Sequence, residues 1–285
     1  MSPHAKGLLL ALLGVLCISP DTLLIRLADV DYGATLFWRG LFTSLGLLLL
    51  VICTERRQSL QSVRRLGRPG LLVIGLFAIS NLSFVMALQL TTVANTLVIV
   101  SSAPLFAALL GRVFLADPVG KRTWVAIAVV IAAIAFIFAK DVHGPTSWGN
   151  LGALMSAIAL SATFVVTRHA QTIDMTPAMA GSALLSTLLA IPFVSTFSIS
   201  GDALLIFALL GLFLTAAFTL LFIAPRHISA AEVSLLMPLE TVLGTYLVWV
   251  FIGEQPSSRA LIGGAVIIAV LTVNSFLGIR QNRPG

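Results

Sequence analysis

The chain alternates between long apolar runs and short polar breaks from one end to the other. A helix that crosses the hydrocarbon of a bilayer needs roughly 20 consecutive, mostly apolar residues. Ten runs fit that length and are numbered here as spans one to ten: 5–28, 33–53, 70–90, 93–115, 122–140, 148–169, 176–198, 203–224, 228–252 and 258–279. The pattern therefore predicts an all-α integral membrane protein with ten transmembrane helices.

Composition supports a membrane protein and argues against a soluble one. Of the 285 residues, 58% are hydrophobic and only 10% are charged, whereas soluble domains carry about 25% charged residues. The mean hydropathy is +1.05. The formal net charge of +6 comes from basic residues between the apolar runs, which favours a membrane surface over a nucleic acid. Cys17 and Cys53 lie inside apolar runs, so neither a disulfide framework nor a metal pair is indicated.

The chain also repeats itself. Residues 113–117 correspond to 250–254, and residues 128–132 correspond to 265–269, both at an offset of 137 positions. A constant offset over two separate segments indicates a fused duplication. We expect a first five-helix repeat over residues 1–141 and a second over residues 142–285. Four alanines recur at four-residue spacing in spans five and ten, which predicts close packing of those spans: Ala128, Ala132, Ala265 and Ala269.

Lysine and arginine placement predicts the orientation. Basic residues gather before span one, after spans two and four, and after span ten, whereas acidic residues gather on the other side. By the positive-inside rule, both termini are expected in the cytoplasm of a bacterial-type inner membrane. Five spans per half is an odd number, so the repeats are expected to be inverted. That arrangement is typical of secondary transporters that work by alternating access.

Two segments carry a family resemblance. Residues 87–95 with 102–110, and residues 224–232 with 238–240, each lead to a short acidic turn, at Asp117 and Glu254. They resemble the signature segments of the drug/metabolite transporter superfamily in its ten-helix EamA branch. The resemblance implies transport of a small metabolite, often outward and often an amino acid, through a cavity lined by spans one, three, four, six, eight and nine. Thr241 departs from the family, where a proline commonly follows Glu240.

Ionisable side chains within membrane spans usually mark a transport pathway. Asp21 in span one and Arg39 in span two lie at similar depth, so the two can pair. The pair is either a proton or substrate-amine site with a switchable partner, or a permanent structural salt bridge. Glu240, in the middle of span nine, is either a proton carrier or a hydrogen-bonded packing residue. Three prolines are expected to break their helices: Pro20, Pro104 and Pro238.

Neutral polar side chains form a second candidate set. It comprises Asn81, Asn95, Ser101, Ser102 and Thr163. Amides and hydroxyls can bind the ammonium and the carboxylate of a zwitterion alike, and the alternative is hydrogen bonding between helices. Ser101 and Ser102, beside Pro104, are the strongest positions. Phe84 and Trp249 either wall the pocket or face lipid.

Other functional classes lack their signatures. The sequence contains no HExxH, GxSxG or Walker A motif, which argues against an enzyme and against ATP coupling. A channel is less consistent with an asymmetric polar set. We therefore expect no catalytic residue, metal or cofactor. The expected partners are a small-molecule substrate, lipid and, where transport is coupled, protons. A monomer is sufficient for this architecture, and an oligomer is compatible with it. Export of neutral or aromatic amino acids is the leading hypothesis, and export of nucleosides or of quaternary ammonium compounds is the alternative.

Overall fold

The computed structural model describes residues 3–55, 66–115, 120–138, 145–170, 173–224, 227 and 230–281, which form helices and short connections without any strand among them. The helices are α1 (Pro3–Ile18), α2 (Asp21–Ala28), α3 (Tyr32–Glu55), α4 (Gly67–Leu90), α5 (Val93–Val100), α6 (Ala103–Leu115), α7 (Lys121–Phe138), α8 (Pro145–His169), α9 (Thr176–Ala190), α10 (Gly201–Ile223), α11 (Ala230–Ile252) and α12 (Ser258–Gln281). A 3-10 turn, Ile191–Phe193, follows α9.

Length and composition make this an integral membrane protein of several crossings. Within the described residues, seven helical stretches are long and apolar enough to span a bilayer. Three shorter apolar stretches, Thr123–Ile137, Leu239–Ile252 and Ser258–Val273, fall in predicted spans five, nine and ten. The all-helical prediction is confirmed. Span seven ends earlier than predicted, since Pro192 lies in the 3-10 turn that follows α9 and cannot donate a helical hydrogen bond.

Spans one and four are each interrupted. Span one is divided into α1 and α2 at Ser19 and Pro20, and the Ser19 hydroxyl donates to the Val15 carbonyl at 2.7 Å. Span four is divided into α5 and α6 at Ser101 and Ser102, two residues before Pro104. Proline lacks the amide proton that would continue the hydrogen-bond ladder. Pro20 and Ser101 keep right-handed helical dihedral angles, so each interruption is a local break in the hydrogen-bond ladder with the backbone close to helical.

The break predicted at Pro238 is wrong. Helix α11 runs without interruption from Ala230 to Ile252. A proline removes one helical hydrogen bond, and helices within membranes tolerate that loss because neighbouring groups can satisfy the freed carbonyl. Span nine therefore differs from span four, its sequence counterpart, in being a continuous helix.

The two halves of the chain interlock. Helix α4 lies along α8, α3 lies along α9, and α1 with α2 lies along α10. One buried cluster shows the mixing, with Leu23, Leu88 and Leu97 from the first half against Leu210, Leu214 and Val248 from the second. The core thus lies between the halves, so the predicted repeats, residues 1–141 and 142–285, do not pack as separate units in the described part of the chain.

Helices α7 and α12 do meet, but not through the alanines expected. The four residues of that stripe are exposed: Ala128, Ala132, Ala265 and Ala269. The contact is formed by larger side chains, namely Ile127, Val130, Ile134, Ile137, Ile267 and Leu271. Isoleucine and leucine bury more apolar area than alanine, so the adjacent face of each helix turns inward. The predicted packing face is therefore wrong.

Candidate functional site

A buried ion pair joins the first two spans. Asp21 is the first residue of α2, and Arg39 lies in the first half of α3. Arg39 Nε donates to Asp21 Oδ1 at 3.0 Å, and Arg39 Nη2 donates to Asp21 Oδ2 at 2.8 Å. Only 5% of Asp21 and 7% of Arg39 is exposed. Two parallel charge-assisted bonds fix both the distance and the plane of the guanidinium.

Two side chains of span three also contact Arg39. Arg39 Nη1 donates to Asn81 Oδ1 at 3.1 Å, and the Phe84 ring centroid lies 5.8 Å from Arg39 Cζ. An aromatic face attracts a cation and adds to the electrostatic support. Asn81 and Phe84 therefore join Asp21 and Arg39 in one cluster, which links spans one, two and three.

A pocket opens beside Arg39 between α3, α4, α9 and α10. Its lining includes Arg39, Thr43, Phe77, Asn81, Ser186 and Phe218. The pocket measures about 10 Å³, which suits about one water molecule. The Thr43 hydroxyl is buried without a hydrogen-bond partner. A metabolite can enter only if these helices move apart. The cavity that the family resemblance implies is lined by spans one, three, four, six, eight and nine. Only spans three and eight of that set line this pocket.

Glu240 lies part-buried on α11, one turn before a close contact with the first half. A Cβ at Gly244 would lie 2.7 Å from Leu97 Cδ1 and 3.3 Å from Thr22 Oγ1, so α11 packs directly on α5 and α2. Thr22 follows Asp21 in the chain, so this contact brings the turn that carries Glu240 towards the Asp21–Arg39 pair.

Three of the predicted neutral residues bond to their own helices. The Ser101 hydroxyl donates to the Val98 carbonyl, the Ser102 hydroxyl to the Ile99 carbonyl, and the Thr163 hydroxyl to the Ala159 carbonyl. These bonds satisfy backbone carbonyls of the preceding turn, so they are not the hydrogen bonds between helices that the alternative describes. Trp249 is 48% exposed on α11. The structure does not bring these four residues to Arg39.

Asn95 belongs to a separate buried cluster at the turn between α4 and α5. Its amide donates to the Thr91 hydroxyl oxygen at 3.2 Å and to Asn150 Oδ1 at 3.3 Å. Asn150 is fully buried near the start of α8. Asn150 was not among the residues predicted from the sequence, although an amide side chain in an apolar run indicates a buried polar contact. The cluster joins the two halves of the chain.

A short segment after α9 is fastened to the start of α3. Asp31 Oδ1 accepts a hydrogen bond from Ala34 N at 2.7 Å, and the Ser195 hydroxyl donates to Asp31 Oδ2. These bonds, the one from the Ala34 amide first, hold the pKa of Asp31 below its ordinary value of 3.8. Stability from the Asp31 charge is therefore present above about pH 3.8 and is lost as the pH falls through the lowered pKa.

The family of the chain follows from a direct comparison. The model of the EamA-like transporter family matches residues 5–139 and again residues 147–276. The chain belongs to the EamA-like transporter family. Within its described residues, no group of three His, Cys, Asp or Glu side chains could hold a metal ion.

Individual relatives of this EamA-like transporter agree with that assignment. A "Riboflavin transporter" of Rhizobium johnstonii (strain DSM 114642 / LMG 32736 / 3841) is 26% identical over 218 residues, covering 72% of this chain and 68% of that protein. A solved structure described as "Crystal structure of protein" matches with a TM-score of 0.70 at 18% identity, covering 98% of this chain and 100% of its own. The second match is a likeness of fold.

Proposed function

We propose that this EamA-like transporter exports neutral or aromatic amino acids across the inner membrane by alternating access. The observation that carries the proposal is the buried Asp21–Arg39 pair, with Asn81 as a third partner, beside a pocket lined by aromatic rings. Ionisable groups within membrane spans typically serve the transported species.

The chemistry of the pair suits a zwitterion. The ammonium of an amino acid can replace Arg39 beside Asp21, and its carboxylate can replace Asp21 beside Arg39. Loading then adds no net charge to an interior of low dielectric constant, where an unpaired charge is costly. Phe77 and Phe218 contact each other edge-to-face, with ring centroids 5.6 Å apart, and offer an apolar wall for the side chain. A dicarboxylate dianion would bring an uncompensated net charge of −2 into the same interior.

The proposed architecture has ten crossings in two inverted repeats, with both termini in the cytoplasm. The family model matches twice along the chain, which supports the duplication. The helix contacts also come in matched pairs: α4 with α8 corresponds to α10 with α1, and α3 with α10 corresponds to α9 with α4. An axis between the repeats would place the Asp21–Arg39 cluster near the interface that moves.

Counterflow in proteoliposomes tests the substrate. Vesicles loaded with an unlabelled aromatic amino acid are expected to accumulate the labelled amino acid transiently, and leucine and phenylalanine are expected to compete. Nucleosides, polyamines and quaternary ammonium compounds complete the panel. Competition by dicarboxylates alone would overturn the zwitterion assignment, and liposomes without protein provide the negative control.

A flavin is the second candidate substrate. The similarity to a riboflavin transporter favours it, and the edge-to-face pair of Phe77 and Phe218 can also bound a planar heteroaromatic ring. Riboflavin is therefore included in the same counterflow panel. Exchange of riboflavin without exchange of any amino acid would transfer the assignment to the flavin.

Proton coupling through Glu240 is a further part of the proposal. Glu240 lies one turn from the contact of Gly244 with Thr22, the residue next to Asp21, and Asp21 is bonded to Arg39. If Glu240 takes up and releases the coupled proton, Glu240→Gln is expected to abolish the pH dependence of transport between about pH 5 and 8. Asp202→Asn, which removes an exposed carboxylate from the first turn of α10, is the matched control. An unchanged pH profile in Glu240→Gln protein would rule out this role.

A further inference from the structure

A second ion pair lies at the turn between α4 and α5, away from the Asp21–Arg39 cluster. Arg26 Nε is 3.2 Å from Glu254 Oε2, and Arg26 Nη2 donates to the Thr91 carbonyl at 2.9 Å. Glu254 Oε1 accepts a hydrogen bond from the Val93 amide at 2.6 Å. The pair therefore bridges the interruption between spans three and four.

Each charge lies at the helix end that favours it. Thr91 is the C-cap residue that follows α4, and Val93 is the first residue of α5. The carbonyl end of a helix attracts a cation, and the amide end attracts an anion. Arg26 and Glu254 thus stabilise both helix ends while pairing with each other. Reversing the two charges would place each at the unfavourable helix end.

The pair crosses the boundary between the halves. Arg26, Thr91 and Val93 belong to the first half, whereas Glu254 lies in the connection between α11 and α12. Gly253, at φ +80°, turns the chain after α11 and sets the course of the backbone into Glu254. The side chains of Arg26 and Glu254 remain 26% and 20% exposed, so the pair lies at the edge of the packed bundle. A bond of this kind can open and reform.

We propose that Arg26 and Glu254 form a latch that closes the extracytoplasmic end of the seam between α5 and α11. The positive-inside rule assigns this end to the outside, because the basic loops lie at the other end. The latch rests on the proposed alternating access, in which the outward-facing state must separate Glu254 from Arg26 and Val93. With the latch closed, the substrate path has no outward opening along this seam.

Cysteine labelling tests the latch without a substrate. Leu97 lies one turn below Val93, is 3% exposed and faces α11. A Leu97→Cys reporter is placed in a background of Cys17→Ser and Cys53→Ser. Spheroplasts and inverted vesicles are treated with a membrane-impermeant maleimide. Glu254→Ala is expected to raise the labelling rate from the outside about tenfold, as for loss of one charge-assisted hydrogen bond. Glu254→Gln, which keeps an acceptor for Val93, is expected to raise it less.

Two further variants make the result specific. Gly253→Ala strains the turn at positive φ without altering any charge, and is expected to raise labelling from the outside as well. Asp202→Asn is the control and is expected to leave labelling unchanged. Labelling that stays at the parental rate in both Glu254 variants, rises only from the inside, or rises equally in Asp202→Asn protein would overturn the latch. Counterflow can fail for every compound while this labelling result stands, so the two proposals fail separately.

Discussion

Replacing Arg39 by glutamine is expected to lower the free energy of unfolding by about 3–5 kcal/mol, which is the usual cost of leaving one partner of a buried ion pair without the other. Arg39 supplies both hydrogen bonds to the Asp21 carboxylate and one to Asn81. Glutamine is too short and too weak a donor to replace them, so Asp21 would stay buried with its charge uncompensated.

Thermal unfolding of purified protein in detergent measures this loss of stability, and two further variants serve as controls. Lys121→Gln removes an exposed cation at the start of α7 and is expected to change stability by less than about 0.5 kcal/mol. The double variant Asp21→Asn/Arg39→Gln is expected to recover part of the lost stability, because neither charge remains. Equal losses in Arg39→Gln and Lys121→Gln protein would show that the pair does not hold this region together.

Asp21→Asn alone separates the two interpretations of the pair. A structural salt bridge predicts that the substitution lowers thermal stability more than it lowers transport by the protein that remains folded. A substrate site predicts the reverse, since Asp21 would hold the ammonium of the amino acid. Asn81 and Phe84 remain beside Arg39 in this variant, which keeps the guanidinium partly supported.

Among the glycines of the described chain, Gly33 is the position where replacement by alanine is expected to lower the free energy of unfolding most. A Cβ at Gly33 would lie against the backbone of Phe193 and 2.6 Å from Val194 N. Backbone atoms cannot rotate away as a flexible side chain can, so the cost is expected at the upper end of the 1–3 kcal/mol typical of overpacking, or about 3 kcal/mol. The contact that Asp31 and Ser195 hold closed would be forced apart.

Gly75→Ala is the matched control, because nothing lies within 4 Å of a Cβ at that position of α4. It is expected to stabilise the helix by up to about 1 kcal/mol through the better helix propensity of alanine. The two variants are compared by thermal unfolding and by hydrogen exchange of residues 29–35. Faster exchange is expected in Gly33→Ala protein only. Matching unfolding temperatures in the two variants would contradict the close approach.

Hydropathy alone predicted most of the fold, because lipid requires a helix wherever an apolar run crosses it. The faces of those helices were harder to predict. Lipid-facing and buried positions in a membrane protein are both apolar, so no polar side marks the outside of α7, and the alanines of α7 and α12 were assigned to the wrong face. Proline was also an uncertain guide: the chain is interrupted near Pro20 and Pro104, whereas α11 continues through Pro238.

Part of the candidate site could be predicted from the sequence. Asp21 and Arg39 lie at similar depth in spans that are adjacent in the sequence, and this was enough to predict that they can pair. Asn81 was singled out, but its bond to Arg39 depends on how α4 rotates against α3. The contact between Arg26 and Glu254 joins distant parts of the chain and depends on the interlocking of the halves. Hydrophobic periodicity carries no information on such distant pairs.

Because the halves interlock, helices of the first half cannot form their main contacts until the second half has been synthesised. Helices α3 and α4 have their largest contacts with α9 and α8, which the ribosome makes later. At about 5–20 residues per second, the first five spans wait on the order of ten seconds for those partners. During that interval Asp21 and Arg39, which lie in adjacent spans, can already pair in the bilayer. The ion pair can then hold spans one and two together before the second half of the chain is made.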